Sequence, residues 1–241
     1  MFKLRLKKER TAISLMMKIN KDLIMGDGVL CAFHIGQFAF SAIFDDNITG
    51  ELSMRDCAFL DNVRTSKVIN EMSFDIEKSK FRVTSPYRCR YDMPVKEADS
   101  TIPEAVKRLE IISEFANSEE EIECFRKSDG QEVDVVRVEI DNDLFVDMLH
   151  RLGKEENIVI EAGEALRISN SKSWASYKLP SITKTVSVTV TEDTFPILEQ
   201  AFIEEEQVGE SRKPSTSVIY LADKSFVLIM NKAFTVINSM C

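Results

Sequence analysis

Apolar and polar residues alternate in short runs along most of the chain, and a few helical stretches interrupt them. Phe2, Leu4 and Leu6 alternate with Lys3, Arg5 and Lys7, the period-two pattern of a half-buried strand. A helical pattern covers 9–20, and strands follow at 23–25, 29–35 and 38–44, separated by the turns Gly26-Asp27-Gly28 and Gly36-Gln37. The same order then returns three times. A second unit has a strand at 49–54, a helix near 56–65 and strands at 71–76, 81–84 and 87–92. A third has a strand at 133–140 and strands at 157–161, 165–169 and 173–178. Between them lies a helix at 141–152 with one apolar stripe ended by Gly153. The fourth has a strand at 185–190 and a helix at 192–202 capped by Thr191, with Pro196 in its first turns. Strands at 217–221, 225–230 and 234–238 complete it.

The second and third units share local sequence. Phe81-Arg82-Val83-Thr84-Ser85 matches Leu166-Arg167-Ile168-Ser169-Asn170, and Tyr91-Asp92-Met93-Pro94 matches Tyr177-Lys178-Leu179-Pro180. Such strings recur by chance in β-rich chains, but the shared element order gives the match its weight. The predicted class is α+β: two domains, each built from two strand–helix–three-strand units with antiparallel sheets.

Composition narrows the function. The 241 residues are 44% hydrophobic and 29% charged, a globular balance. Two histidines, His34 and His150, and eight glycines leave little for histidine chemistry or phosphate-cradling loops. Five scattered cysteines without a C-x-x-C pair read as reduced thiols of a cytosolic protein. The opening residues 1–8 lack the apolar core of a signal peptide and no apolar run approaches membrane-spanning length, so a soluble intracellular protein is expected. The net charge of −9 excludes a uniformly basic nucleic-acid binder, though not a local basic face.

That charge is unevenly placed. Residues 96–132 hold eleven acids against five bases. They contain one short helical pattern, 103–116, with Val106, Leu109, Ile112 and Phe115 at helical spacing; the flanks 117–121 and 127–132 read as solvated. The expected organisation is a first domain at 1–95, an acidic connector at 96–132 and a second domain at 133–241.

Each unit's helix must bury one face on its own sheets, so the other face is informative. On the first helix Arg10, Ser14, Lys18 and Lys21 fall on one stripe. Arg64 and Lys67 lie together after the second, and His150, Arg151 and Lys154 share the polar face of the third with Asp143 and Asp147. The fourth is acidic, with Glu192, Asp193 and Glu199. Helix-dipole complementarity accounts for acids at starts and bases at ends, worth about 0.3–1 kcal/mol each. It does not explain a first helix basic along its length. That stripe is either a solvated face or a phosphate-facing one.

The order of elements resembles the sliding-clamp family, including proliferating cell nuclear antigen, the bacterial beta clamp and the T-even phage clamp. Residues Thr11 to Asn20, then Leu23-Ile24-Met25 and the Gly26–Gly28 turn, look like the opening helix and strand of the T-even phage clamp. The resemblance implies helices lining the hole of a ring and sheets outside. With two domains, the chain is similar to the trimeric clamps rather than to the three-domain dimeric ones. It also implies duplex DNA bound without regard to sequence, a DNA polymerase tethered as client, a clamp loader ATPase, and a homotrimer as the working form. Arg10, Lys18, Lys21, Arg64, Lys67, His150, Arg151 and Lys154 become the expected DNA-facing residues. Family members carry an apolar pocket for client peptides, here expected from Val95, Ile102 and Pro103 with Val236, Ile237 and Met240. The acidic fourth helix and the long connector depart from the family.

No catalytic residue, metal or cofactor is implied: H-E-x-x-H, G-x-x-x-x-G-K-[ST] and G-x-S-x-G are all missing. Asp141-Asn142-Asp143 opens like a calcium loop, but Val146 and Leu152 stand where that loop needs Gly and Glu. His34 reads as a strand residue and Trp174 as packing. The expected function is a non-enzymatic processivity factor, cytoplasmic if phage-encoded and nuclear if eukaryotic, with no membrane partner. Two rivals stand: a β-rich structural or assembly protein, and a monomeric clamp-like DNA or transcription factor.

Overall fold

Every second residue of Ile158–Ala162 and of Val186–Val190 is buried, so each of these strands presents one face to a core and one outward. Such strands dominate the computed structural model, which describes residues 2–5, 14–20, 23–26, 29–34, 38–43, 52–54, 66, 68, 71–75, 80–85, 87–92, 95–97, 115, 122–127, 129–152, 156–180, 184–203, 215–231 and 234–239. The chain divides into two compact units, Met1–His34 with Ala39–Ile111, and Ile35–Phe38 with Ile112–Cys241.

The first unit contains β1 (Phe2–Arg5), helical residues 14–19 (α1), β2 (Leu23–Gly26), β3 (Val29–His34) and β4 (Phe38–Ile43). Then come β5 (Leu52–Met54), β6 (Glu71–Asp75), β7 (Lys80–Ser85), β8 (Cys89–Asp92) and β9 (Val95–Glu97). The second unit holds β10 (Cys124–Arg126), β11 (Glu132–Asp141), α2 (Asn142–His150), β12 (Ile158–Ala162), β13 (Ala165–Ser169) and β14 (Trp174–Lys178). It continues with β15 (Val186–Val190), a 3₁₀ turn at Glu192–Thr194, α3 (Phe195–Phe202), β16 (Thr216–Ala222), β17 (Phe226–Met230) and β18 (Phe234–Asn238). The helix expected near 56–65 and most of the one expected at 103–116 lie outside the described residues.

The halves of each unit exchange their first strands. One sheet of the first unit runs β1-β6-β7-β8, and its remaining strands order as β4-β3-β2-β5-β9. In the second unit the orders are β14-β13-β12-β15 and β10-β11-β16-β17-β18. Thus β11 leaves the half it opens and pairs with β16, while β15 returns to pair with β12. Neither half can complete its sheet alone, so each unit folds as one.

The repeat seen in the sequence is preserved in register. Phe81 pairs Tyr91 across β7 and β8, and Leu166 pairs Tyr177 across β13 and β14. Both matched segments therefore hold the same place, with β8 and β14 as the last strands of equivalent sheets.

Two strands arise where a connector is expected. β9 pairs β5, with Val95 opposite Met54, and β10 pairs β11, with Phe125 opposite Val133. The β10–β11 hairpin closes through Gly130 at φ 86°, in the left-handed region that glycine favours, and through the Asp129 carboxylate accepting from the Gln131 amide. Lys127 and residues 129–132 thus belong to a structured turn and strand start, and the division of the chain falls between Ile111 and Ile112.

α2 begins at Asp141, whose side chain accepts from the Leu144 amide at 2.9 Å, and Asp143 complements the helix dipole. Its apolar face meets α3, with the Phe145 and Phe202 rings 4.0 Å apart. α3 starts later than the sequence pattern places it. Residues 192–194 wind as a 3₁₀ turn, Thr191 makes no capping bond, and Pro196 occupies the first turn of the helix proper. A polar network joins the helices to the sheet. The buried Asn142 accepts from the Ser217 hydroxyl at 2.6 Å and donates to Ser215 at 2.8 Å, while Asn231 donates to the Ala201 carbonyl.

β16, β17 and β18 are largely buried on both faces, whereas β11 leaves Arg137 and Glu139 exposed. Val138, Ile219, Ile229 and Thr235 share the face toward that network; Tyr220, Leu228 and Val236 share the other. Thr235 is fully buried and its hydroxyl has no hydrogen-bond partner among the described residues. An unmet buried hydroxyl costs about 1–3 kcal/mol. Thr235→Val, which keeps the shape, is therefore expected to stabilise the protein by about 1 kcal/mol or more in urea unfolding; a loss of stability would show the hydroxyl to be satisfied.

Candidate nucleic-acid interface

The expected DNA-facing residues fall into three groups. On α1, Leu15, Met16 and Ile19 are buried and Lys18 is exposed, as an amphipathic helix on a sheet requires. Ser14, expected on the stripe with Lys18, is instead buried at 4% exposure: four residues make more than one full turn, and the drift carries it under the helix. Arg10, Lys21, Arg64, Lys67 and Lys154 lie outside the described residues.

On the second unit the bases are engaged by acids. His150 Nε2 stands 2.6 Å from Glu199 Oε1, so this side chain bridges α2 to α3. Arg151 donates to Asp147 at 3.1 Å, one turn earlier on its own helix. Asp143, Asp147, Glu192 and Asp193 are exposed. Among the described residues, carboxylates thus outnumber bases on this helical surface, and a phosphate would meet a repulsive field there.

The expected client pocket is only partly assembled. Val95 lies in β9, and Ile102, Pro103 and Met240 are outside the described residues. Val236 and Ile237 are consecutive in β18, so their side chains point to opposite faces of the sheet. Ile237 is 1% exposed and shares the network face with Val227, whereas Val236 shares the outer face with Leu228. One surface cannot present both.

That outer face carries a feature the sequence reading missed. Phe115, from the acid-rich segment, is 2% exposed and packs edge-on against Tyr220 and Phe226, with centroids at 5.1 and 6.0 Å. Phe125 joins Phe226 at 5.3 Å. Beside them opens a hollow of about 410 Å³ lined by Phe115, Ile122, Cys124, Phe125 and Arg126. Nearby, Lys184 contacts Asp134 at 2.9 Å, and this hydrogen bond raises the Lys184 pKa above its ordinary value. The available signal was Asp129-Gly130, a hairpin dipeptide placing Phe125 in a strand.

Trp174 does not pack as expected. It is 63% exposed on β14, the end strand of its sheet, with the Arg167 guanidinium 5.4 Å from the ring centroid. Among the described residues, no cluster of His, Cys, Asp or Glu is arranged to hold a metal ion, and no helix is long and apolar enough to cross a membrane.

No protein-family model and no curated protein sequence matches the chain. Solved structures do. It is similar to the DNA polymerase III subunit beta of Pseudomonas aeruginosa, with TM-score 0.61 and 10% identity over 100% of this chain and 64% of that one. It is likewise similar to the DNA polymerase III beta subunit of Thermotoga maritima (TM-score 0.65, 13% identity, 98% and 63% covered). The DNA polymerase sliding clamp of Bacillus subtilis matches too, with TM-score 0.62, 9% identity and 99% and 64% covered. The chain spans less than two thirds of these proteins' length. It has the sliding-clamp fold, α+β with two clamp domains.

Proposed function

We propose that this chain is the subunit of a sliding clamp: three copies, each of two units, close around duplex DNA and tether a DNA polymerase. The observation that carries the reading is the whole-length match, 98–100% of the chain, to structures of sliding clamps. The chain works without catalysis of its own. Attraction to phosphates centres the duplex, and an ATPase loader opens the ring. Such attraction is independent of base sequence and falls with salt. Encirclement turns polymerase binding into an intramolecular event at high effective concentration. The site of action follows the DNA, host cytoplasm for a phage protein and nucleus for a eukaryotic one.

Lys18 on α1 anchors the phosphate-facing assignment, with Arg10, Lys21, Arg64, Lys67 and Lys154 as its companions and His150 and Arg151 held back by their carboxylates. Lys18→Glu combined with Lys21→Glu is expected to lower loading on primed circular DNA about tenfold or more at moderate salt, with the melting temperature unchanged. Polymerase stimulation equal to wild type would remove α1 from the DNA path. Topology is tested separately: protein loaded on a nicked circle should be released when the circle is cut. Equal retention on linear and circular DNA would overturn encirclement.

The carboxylates on α2 and α3 favour one other reading, a clamp-shaped interaction protein that does not touch DNA. Sedimentation as a monomer at micromolar concentration, with no retention on circles, would establish it.

A further inference from the structure

The charged faces of α2 and α3 carry a pattern that helix physics accounts for only in part. On α2, Phe145, Met148 and Leu149 are buried, while Asp143, Asp147 and Arg151 recur every fourth residue as an exposed stripe on the opposite side. Acids at a helix start complement its dipole, which explains Asp143. That benefit fades beyond the first turn. Asp147 is the sixth residue of α2 and Glu199 the fifth of α3, so the dipole accounts for neither. Each stands instead against a base: Asp147 holds Arg151 at 3.1 Å, and Glu199 holds His150 at 2.6 Å across the two helices. Exposed and half-exposed pairs of this kind contribute little to stability.

We propose that Asp147 and Glu199 are a charge mask. They cancel Arg151 and His150, so that the second unit's helices turn away the phosphates of an encircled duplex and the hold on DNA is left to the bases of α1. This rests on the ring reading and sets how tightly the ring grips. A ring that cannot leave its track needs no strong grip to stay on it. Every phosphate contact adds affinity through counterion release, but each must be broken and remade at the next step along the duplex. Carboxylates on part of the lining keep retention topological and sliding fast. The exposed Asp143, Glu192 and Asp193 add to the same repulsive field.

Lifting the mask tests it. Asp147→Asn releases Arg151 and Glu199→Gln releases His150, with side-chain shape nearly kept. The double variant is expected to bind linear duplex, without a loader, at least about fivefold more tightly at about 0.1 M salt. Its log affinity should fall more steeply with log salt, by about 0.9 for each phosphate newly held. Loaded on DNA, it should slide about threefold more slowly in single-molecule tracking, because more contacts must break at each step. Arg151→Ala added to Asp147→Asn should take back most of that variant's gain. Glu139→Gln is the control: it removes the same charge as Asp147→Asn, but from the sheet face opposite to that of the buried Val138 and Ile140, and should change affinity less than about twofold. If Asp147→Asn gains no more than Glu139→Gln, the pairs are structural only and the mask is overturned; release of wild-type protein on cutting the circle would then leave the ring standing. If wild-type protein is not retained on circles, ring and mask fall together.

Discussion

Phe202→Ala is expected to lower the stability of the second unit by about 3–5 kcal/mol, the cost of truncating a fully buried phenylalanine. Phe202 is 1% exposed and its ring lies 4.0 Å from that of Phe145, so the two rings form the contact between α3 and α2. The cavity left behind cannot collapse easily. Each helix lies on strands fixed by their own hydrogen-bond ladders, and the Asn142–Ser217 bond pins the start of α2. Phe202→Leu, which keeps most of the volume, should cost much less than the alanine. Removing the other link between the helices, by His150→Ala, should cost no more than about 1 kcal/mol because that pair is half exposed. Urea unfolding followed by circular dichroism compares the three. A Phe202→Ala loss below about 1 kcal/mol would mean that the helices do not brace each other.

Phe115→Ala is the second large effect, and it decides the nature of the acid-rich segment. A solvated linker would tolerate the change within about 0.5 kcal/mol. Phe115 is instead sealed against Tyr220, Phe226 and Phe125 on the outer face of the β16–β17 sheet, and a loss of about 3 kcal/mol or more is expected. Thermal melting reads this as a drop of roughly 10 °C or more. A mutant that melts with wild type would mean that Phe115 does not anchor its segment to the sheet.

The order of elements was legible because each of the four repeating units carries its own period-two runs and turn residues, and each signal is local. The equivalence of β8 and β14 was legible too, because the repeat puts Tyr91 and Tyr177 in matching strings. What escaped were effects that depend on partners far away in sequence. β10 holds a phenylalanine between polar neighbours in an acidic stretch, and only its pairing with β11 makes it a strand. Trp174 sits in a run that reads as ordinary strand, and its exposure follows from β14 being last in the sheet order, which no local pattern encodes. The client pocket faltered on parity: Val236 and Ile237 are neighbours along the chain and therefore opposites across the sheet. The engaged state of His150 was out of reach for the same reason, since Glu199 is 49 residues away and reaches it only because the two helices lie side by side.

The exchange of first strands between halves sets a timetable for the nascent chain. β11 pairs Val135 with Ala222 and Asp141 with Thr216, partners separated by 87 and 75 residues. At about 5–20 residues per second, a ribosome leaves β11 waiting roughly 4–17 s for β16. During that interval Val135–Asp141, the part of the strand that β10 does not pair, is an open seven-residue ribbon rich in valine. Arg137 and Glu139 are exposed in the finished fold, and in the waiting strand they place charge at alternate positions, a pattern that discourages pairing with a foreign strand. Those two side chains serve the protein before its native contacts exist, so their replacement by apolar residues should be felt in soluble yield on synthesis rather than in the stability of the purified molecule.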